Sequence, residues 1–442
     1  MRTPWRPHPT RGLPNQRSNA MTAARIRKAV PHAALCLCAL IWLWPVAAPA
    51  AEPVKLAVIM GLSGSFALQG EEAVKQFRGI ADRINAQGGV LGGRPVEIVA
   101  LDGKTNPQDS LLALTQAVGQ NVQFVASAVA SVVHALSDGV AKHNERDPSR
   151  RVLLLTFDAR DPAITEAKCN FWNFRFAPHI DVEMNFLTDY VARQKDLNKV
   201  YLLNQDYAYG HAVSRAARDM LSKKRTDVRI VGDEFVPLGK VKDFAPYATK
   251  IRAAQADSII TGNWGNDLFL LVKAGHESGL KVRYYNFVPY LAGTASALGA
   301  ASAGKVWGIT NWHANAEPNP YGAYNADFKA KYKTTGNFDY LQILRTVEML
   351  AQAIDKAQTT DPLKVAYALE GLKRNGPEGE AWMRAEDHQI VAPLYLASFA
   401  KAGQPGVKFD VENTGYGWKT EAKVEAKGAV PELKCKMERP TR

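Results

Sequence analysis

The feature that most constrains the fold is an alternation of nearly continuous apolar runs with amphipathic stretches, which occurs twice along the chain. In the first half, helical patterns such as PQDSLLALTQAVGQ separate the apolar runs VKLAVIMG, PVEIVALD, VQFVASAVA and RVLLLTF. In the second half, the runs are NKVYLLNQD, RIVGDEFV, DSIITGNW, KVRYYNFV and GKVWGITNW. Apolar strands of this kind are typical of parallel sheets that helices cover on both faces. The sequence therefore predicts an α/β protein with two doubly wound parallel-sheet lobes.

The glycine-rich stretch INAQGGVLGGRP lies after a helical pattern and before an apolar strand pattern. A phosphate-binding loop needs the opposite order, because the free N–H groups at the start of the following helix face the anion. A glycine just beyond a helix instead supplies the left-handed conformation that ends it. Gly88 and Gly89 are therefore predicted to end a helix.

The first 50 residues have the pattern of a secretory signal. They carry seven basic residues and no acidic one, and the apolar run AALCLCALIWLWPVAA leads to the small residues Ala48 and Ala50. The run is short and contains Pro45, whereas a membrane span takes about 20 apolar residues. We expect cleavage near Ala50 and export of the remaining chain, with either Met1 or Met21 as the true start.

Removal of this segment changes the charge balance. It leaves 48 basic residues against 43 acidic ones, a net charge of +5 instead of +12. Lys and Arg form no stripe interleaved with aromatic residues, so no nucleic-acid partner is predicted. The histidines are dispersed without metal-ligand spacing, and no G-x-S-x-G motif occurs. We therefore expect no catalytic residues, no metal and no cofactor, and the chain is not predicted to be an enzyme.

Two cysteines, Cys169 and Cys435, remain after the predicted signal. In an oxidising compartment an even pair more often forms a disulfide than stays reduced. The sequence thus predicts a bridge between the C-terminal tail and the middle of the chain.

Ligands of open parallel sheets bind beyond the carboxyl ends of the strands. Hydroxyl, charged and aromatic side chains follow the predicted strands there, and together they suit a small organic ligand held in a cleft. The candidate ligand-binding residues are Ser63, Gln69, Ser131, Asp158, Ala159, Arg160, Tyr209, Trp264 and Tyr290.

Purely structural roles remain open for several of these candidates. Ser131 is a candidate N-cap, and its hydroxyl could serve its helix alone. Arg160 could pair with Asp158 or Asp161 on a surface turn. Tyr209 and Trp264 could pack between the lobes without touching a ligand.

The stretch VKLAVIMGLSGSFALQGEEAVKQFRGIADRINAQGGVLGGRPVEIVALDGKTNPQDS resembles the start of periplasmic solute-binding proteins of the branched-chain amino acid family of ABC transporters. The stretches YLLNQDYAYGHAV and ADSIITGNW extend the resemblance. It implies the type I periplasmic-binding fold, in which a three-strand hinge closes two lobes on a small ligand. It also implies a periplasmic monomer that works with membrane permease and ATPase subunits.

With this fold, the expected domain boundaries follow from the pattern of strands. Residues 1–50 form the signal peptide, residues 51–176 plus 309–390 form the first lobe, and residues 177–308 plus 391–442 form the second lobe.

The resemblance also implies roles for individual residues. Ser131 matches the serine that holds the ligand carboxylate, TFDARDP matches the loop that contacts carboxylate and ammonium, and Tyr209 and Trp264 match aromatic wall positions. The chain departs from the family at two points. Arg160 replaces a small hydroxyl residue, and YYNFVPYLAG lacks the acidic residue that pairs with an ammonium group.

We therefore expect Arg160 and Ser131 to hold a ligand carboxylate, and Tyr209, Trp264 and Tyr290 to enclose an aromatic or apolar body. The expected ligand is an amino acid or an aromatic or apolar organic acid. Two alternatives stay open on the same fold: a ligand-sensing module for a membrane receptor, and a binder of amide-type or urea-type ligands.

Overall fold

The computed structural model describes residues 52–319, 321–335 and 341–441. The predicted signal segment, with the alternative starts Met1 and Met21, lies outside the described residues. None of the helices in these three ranges combines the length and the hydropathy that a membrane span requires.

The first lobe is built on a five-stranded sheet. Its strands are β1 (Val54–Met60), β2 (Val96–Asp102), β3 (Phe124–Ser127), β4 (Leu153–Thr156) and β5 (Asn173–Arg175). They lie in the order β2-β1-β3-β4-β5, and every neighbouring pair is parallel. The helices between them are α1 (Ala67–Ala86), α2 (Pro107–Gly119) and α3 (Ala130–Arg146). Strands β3, β4 and β5 are buried along their whole length, as the continuous apolar runs require for β3 and β4.

The second lobe repeats this plan with the next five strands. These are β6 (Lys199–Gln205), β7 (Arg229–Val236), β8 (Ser258–Thr261), β9 (Arg283–Asn286) and β10 (Val306–Thr310). They form a parallel sheet in the order β7-β6-β8-β9-β10. The accompanying helices are α4 (Ile180–Val191), α5 (Ala208–Lys224), α6 (Ala245–Ala253), α7 (Asn266–Glu277) and α8 (Thr294–Leu298).

After β10 the chain returns to the first lobe, where α10 packs against α1. The elements of this return are α9 (Gly322–Tyr332), α10 (Leu341–Ala357), α11 (Pro362–Leu369) and the small antiparallel sheet of β11 (Lys373–Gly376), β12 (Gly379–Met383) and β13 (Ile390–Val391). The sequence pattern places the start of α10 at Asp339, which lies outside the described residues.

The chain then adds two antiparallel strands to the second sheet. These are β14 (Leu394–Lys401), which pairs with β10, and β15 (Tyr416–Val424), which pairs with β14. The apolar run APLYLASFAK predicts a strand at β14, whereas no such run predicts β15. Only two of the nine residues of β15 are buried, in agreement with its position at the edge of the sheet.

The two lobes are connected by three passages of the chain, after β5, after β10 and between β13 and β14. The segments that lead into the first and third passages lie side by side, because Arg175 at the end of β5 and Gln389 just before β13 form an isolated parallel bridge. The predicted α/β fold of two lobes with a three-strand hinge is confirmed.

The glycine-rich stretch ends a helix, as predicted. Helix α1 ends at Ala86, and Gly88 and Gly89 follow with φ angles of 104° and 69°. Side chains with a Cβ rarely adopt these angles, so glycine is needed at this turn.

The predicted disulfide is present. Cys169 and Cys435 are bonded, with their Cα atoms 5.7 Å apart. The tail that carries Cys435 leaves the second sheet after β15 and packs on the first lobe, where Arg384 Nη1 donates to the Pro431 carbonyl at 2.7 Å. The tail is therefore a fourth link between the lobes.

Candidate ligand-binding site

A small cavity of about 50 Å³ lies where the carboxyl ends of the two sheets face each other. Its lining comes from the loops after β1, β3 and β4 of the first lobe and after β6, β8 and β9 of the second lobe. Small-molecule sites of α/β proteins commonly lie at such positions, beyond the carboxyl ends of the strands. The cavity is thus the candidate ligand site.

Most of the lining is apolar, with a small number of polar and aromatic groups. The apolar residues are Met60, Ala128, Val129, Ala130, Ala159, Val288 and Leu291. The polar and aromatic residues are Gln69, Asp158, Arg160, Tyr207, Tyr209 and Trp264. Six of the nine sequence-predicted residues are therefore brought together: Gln69, Asp158, Ala159, Arg160, Tyr209 and Trp264.

Helix α3 begins at the cavity, two residues earlier than an N-cap at Ser131 would require. Its N-cap is Val129, which makes no side-chain capping bond, so the prediction of Ser131 as N-cap is wrong. Ser131 is the second residue of the helix and lies outside the cavity lining. The first N–H groups of an α-helix have no intrahelical acceptor and carry partial positive charge. The start of α3 is therefore suited to an anionic ligand group.

Arg160 is buried between two carboxylates, and only 2% of its surface is exposed. Its Nη2 donates to Asp158 Oδ1 at 2.7 Å, and its Nη1 donates to Glu183 of α4. The alternative of a surface ion pair does not hold, and Asp161 is bonded to His134 instead, at 2.6 Å. Asp158 and Glu183 thus each accept from one terminal nitrogen of Arg160. The remaining nitrogen, Nε, has no hydrogen-bond partner in the part of the chain that the structure describes.

Burial shifts the pKa values in this cluster. It raises the pKa of the Glu183 carboxyl to about 7, although Arg160 acts in the opposite direction. Burial also raises the pKa of Asp158. For Arg160 burial alone would lower the pKa, but the Asp158 and Glu183 carboxylates raise it well above its ordinary value. The positive charge of one guanidinium thus faces two buried carboxyl groups, and these two groups titrate as a coupled pair.

Tyr290 of the second lobe reaches this cluster, although it does not line the cavity. Its hydroxyl donates to Asp158 Oδ1 at 3.1 Å and accepts from Gln342 Nε2 at 2.7 Å. Arg160 Nη2 also donates to this hydroxyl. Tyr290 is therefore a polar link between the lobes behind the cavity.

The second lobe supplies an aromatic wall. Trp264 Nε1 donates to the Tyr207 hydroxyl at 3.0 Å, and the rings of Tyr207 and Tyr209 lie 5.9 Å apart, edge to face. On its other side Trp264 contacts Phe66 of the first lobe, with ring centroids 4.1 Å apart. Aromatic faces held in this way suit an apolar or aromatic ligand body.

Ser63 has a local structural role. Its hydroxyl donates to Asp102 Oδ2 at 2.6 Å in an exposed position, away from the cavity lining. Gln69, by contrast, is 5% exposed and links the lobes through its Nε2, which donates to the Ala292 carbonyl at 3.1 Å.

Three side chains of the lining carry buried polar atoms without a partner. Among the described residues, nothing bonds to Gln69 Oε1, Arg160 Nε or the Tyr209 hydroxyl. Buried polar atoms are paired in most folded proteins, and an unpaired atom costs roughly 1–3 kcal/mol. These three atoms are consequently candidates for bonds to a ligand.

One group of potential metal ligands occurs among the described residues: Glu166, His179 and Asp181. It lies outside the cavity lining. Lys434 pairs with Glu166 at 3.4 Å, and Arg215 pairs with Asp181. Burial and nearby cations such as Arg175 lower the pKa of His179 well below its ordinary value. These positive charges oppose the binding of a cation, and the group is explained as an ion-pair network.

Sequence reasoning missed several residues of the site. Tyr207 follows β6 and carried the same signal as Tyr209, so it could have been chosen with it. Glu183 and Gln342 lie within helices, and no local pattern indicates that they meet Arg160 or Tyr290.

The chain is similar to several known proteins. The profile of the family described as periplasmic binding protein matches residues 53–404. The Leu/Ile/Val-binding protein homolog 4 of Brucella abortus is 29% identical over 422 residues, which cover 91% of this chain and 97% of that protein.

Two solved structures of similar fold are associated with different ligands. The leucine-, isoleucine-, valine-, threonine- and alanine-binding protein of Brucella ovis, in a closed conformation, has a TM-score of 0.77 at 24% identity, covering 88% of this chain and 100% of that one. An ABC transporter solute-binding protein of Rhodopseudomonas palustris in complex with 3,4-dihydroxybenzoic acid has a TM-score of 0.72 at 18% identity, covering 85% and 98%.

The family match spans most of the chain, and these neighbours share its two-lobe fold and are named as binding proteins rather than enzymes. The chain belongs to the periplasmic binding protein family.

Proposed function

We propose that the protein is the periplasmic substrate-binding component of an ABC importer, and that it captures a small carboxylate-bearing solute between its lobes by hinge closure. The observation that carries this proposal is a cavity at the facing sheet ends, whose lining holds polar atoms without a partner among the described residues, beside the start of α3. Permease and ATPase subunits are its expected partners, and a monomer is its expected state.

The first support for a carboxylate is the supply of donors. The N–H groups at the start of α3, Arg160 Nε and the Tyr209 hydroxyl can all donate to an anion. The ligand body would then lie against Trp264 and the apolar lining. One relative is named for aliphatic amino acids, and another is in complex with a dihydroxybenzoic acid. These ligands all have a carboxylate joined to an apolar or aromatic body.

The proposal extends to the remaining predictions about the chain. Residues 1–50 are proposed to direct export and to be removed, which N-terminal sequencing of the exported protein would test. The lobe boundaries stay as the sequence suggested: residues 51–176 plus 309–390, and residues 177–308 plus 391–442.

Matched acids and amides test the ligand class. Titration calorimetry would compare 4-hydroxybenzoate with 4-hydroxybenzamide, leucine with leucinamide, and 4-methylpentanoate with its amide. We expect the acid of at least one pair to bind at least about tenfold more tightly than its amide, which is 1.4 kcal/mol. Amides that bind as tightly as their acids would instead favour an amide-type ligand, for which the unpartnered Gln69 Oε1 is a suitable acceptor.

Uptake separates the transport role from the sensing alternative. Cells that lack the protein should lose uptake of the radiolabelled acid, and the intact gene should restore it. Unchanged uptake together with a lost cellular response to the acid would assign the protein to a receptor instead.

A further inference from the structure

Residues 65–69, which include the first turn of α1, contact the second lobe beside the cavity. Phe66 is 7% exposed although it lies in a short loop helix, and its ring contacts Trp264. On either side of it, Ser65 Oγ donates to the Gly239 carbonyl at 3.3 Å and Gln69 Nε2 donates to the Ala292 carbonyl at 3.1 Å.

The ring of Phe66 occupies a socket formed by Gly239, Trp264 and Gly265 of the second lobe. A Cβ atom at Gly239 would lie 2.8 Å from Phe66 Cε2, and one at Gly265 would lie 3.0 Å from Phe66 Cδ1. Real Cβ atoms essentially never come as close to carbon as 2.8 Å, and a contact of 3.0 Å is tighter than most, so the ring fits best when both positions are glycine.

Hydrogen bonds within the second lobe hold the socket in shape. Asp267 is fully buried at the start of α7, and its Oδ2 accepts from the Gly239 N–H at 2.8 Å and from Gln205 Nε2 at 2.8 Å. These three residues all belong to the second lobe, so the socket does not need the first lobe for its shape.

Phe66 does not line the cavity, but Trp264 does. The ring therefore stabilises the aromatic wall from behind, and it can do so only when the lobes are together. An apolar ring moved from water into this socket favours the closed form. A ligand that requires the closed form then binds more tightly in proportion to the closed fraction.

We propose that Phe66 is a positioning residue for ligand binding: by docking in the Gly239–Trp264–Gly265 socket it holds Trp264 against the cavity and sets the closed fraction, whichever ligand is bound. This inference rests on the proposed function only in assuming that a solute binds between the lobes. It assigns no ligand class.

The first test measures closure without any ligand. Spin labels at Leu112→Cys in α2, where the native side chain is 69% exposed, and at Lys273→Cys in α7 report the distance between the lobes by double electron–electron resonance. We expect Phe66→Ala to shift the ligand-free distance distribution toward longer separations. An unchanged distribution would overturn the proposal, even if the melting temperature of the variant fell.

The second test measures binding rates for the tightest acid of the matched pairs and for one weaker acid. We expect Phe66→Ala to weaken both by roughly tenfold to a hundredfold, through faster dissociation and by the same factor. A loss for one acid only would contradict the proposal, because it would mean that Phe66 contacts the ligand. The acid-over-amide preference should stay unchanged in the variant, so failure here is distinct from failure of the proposed function.

A double-mutant cycle separates a clash in the socket from backbone strain. Gly239→Ala should weaken binding in the wild-type background, both because of the clash and because Gly239 has a φ of 67°. In the Phe66→Ala background the clash is gone, and only the strain remains. We expect Gly239→Ala to weaken binding at least about threefold less in the Phe66→Ala background than in the wild-type background. Equal losses of affinity in the two backgrounds would contradict a contact between Phe66 and Gly239.

Discussion

Tyr290 and Asp158 join the two lobes directly, because the Tyr290 hydroxyl donates to Asp158 Oδ1 at 3.1 Å. The bond is buried and can form only when the lobes are together. Tyr290→Phe removes it, and with it an acceptor for Gln342. We expect ligand affinity to fall by roughly fivefold to thirtyfold, which corresponds to about 1–2 kcal/mol for a buried hydrogen bond.

The matched control for this variant is Tyr367→Phe, whose hydroxyl donates to the Pro440 carbonyl at 2.6 Å, away from the cavity lining. Titration calorimetry should find its affinity unchanged. Equal affinities for wild type and Tyr290→Phe would show that the link across the lobes does not stabilise the bound form.

Arg160 is expected to affect binding and stability together. Arg160→Ala leaves Asp158 and Glu183 buried without a cation, which should lower the free energy of unfolding by about 3–5 kcal/mol. It also removes Nε, so affinity should fall by about one to two orders of magnitude. Arg160→Lys should recover only part of the lost stability and of the lost affinity, because an ammonium group cannot replace the planar guanidinium.

Two further variants make the Arg160 result specific. Arg215→Ala removes an ion pair with Asp181 outside the cavity lining and should leave affinity unchanged. Ser131→Ala should cost less than Arg160→Ala, because Ser131 is not in the cavity lining. Calorimetry that finds wild-type affinity in Arg160→Ala would remove Arg160 from the ligand site.

Glu183 should make stability depend on pH. Its pKa is raised by burial to about 7 in the folded protein, from an ordinary value of 4.5, with Arg160, Asp158 and Arg175 as its charged neighbours. Folding therefore favours the protonated carboxyl, and this stabilisation is complete below pH 4.5 and lost as the pH rises through 7. We expect the free energy of unfolding to fall by up to about 3 kcal/mol across this range.

Glu183→Gln keeps the shape of the side chain but does not titrate. Urea unfolding at several pH values should show a weaker dependence in this variant than in wild type between pH 5 and pH 8. Parallel curves for the two proteins would mean that Glu183 stays ionised throughout.

The disulfide should stabilise the fold without shaping the ligand site. The double variant Cys169→Ser/Cys435→Ser releases a tail that links β15 to the first lobe, and we expect a loss of about 2–5 kcal/mol. Thermal unfolding measures this loss, and affinity should change by less than about twofold. A large change in affinity would mean that the tail restricts hinge motion.

The sequence predicted the sheet strands of both lobes well where they are buried, because continuous apolar runs and turn residues are local signals. It missed β5, which is buried but only three residues long, and β15 at a sheet edge, and it did not assign β11 and β12, which form a small hairpin. Cys169 and Cys435 could be paired only because two cysteines remained, since 266 positions separate them.

The location of the site was predictable from the sequence, but the ion pairs and ring contacts between its side chains were not. The end of each strand indicated where Asp158, Arg160, Tyr209 and Trp264 would meet. That Glu183 would bind Arg160 depends on the packing of α4 against the loop after β4, which leaves no pattern in either segment. The docking of Phe66 depends in the same way on glycines far along the chain.

Hinge closure around a solute is the central claim, and small-angle X-ray scattering tests it most directly. The described structure has its lobes in contact through Phe66 and Trp264 and through Tyr290 and Asp158. We predict that the protein saturated with its tightest-binding acid gives a scattering curve that fits this structure, and that the ligand-free protein has a larger radius of gyration. Identical curves with and without the saturating acid would contradict the account.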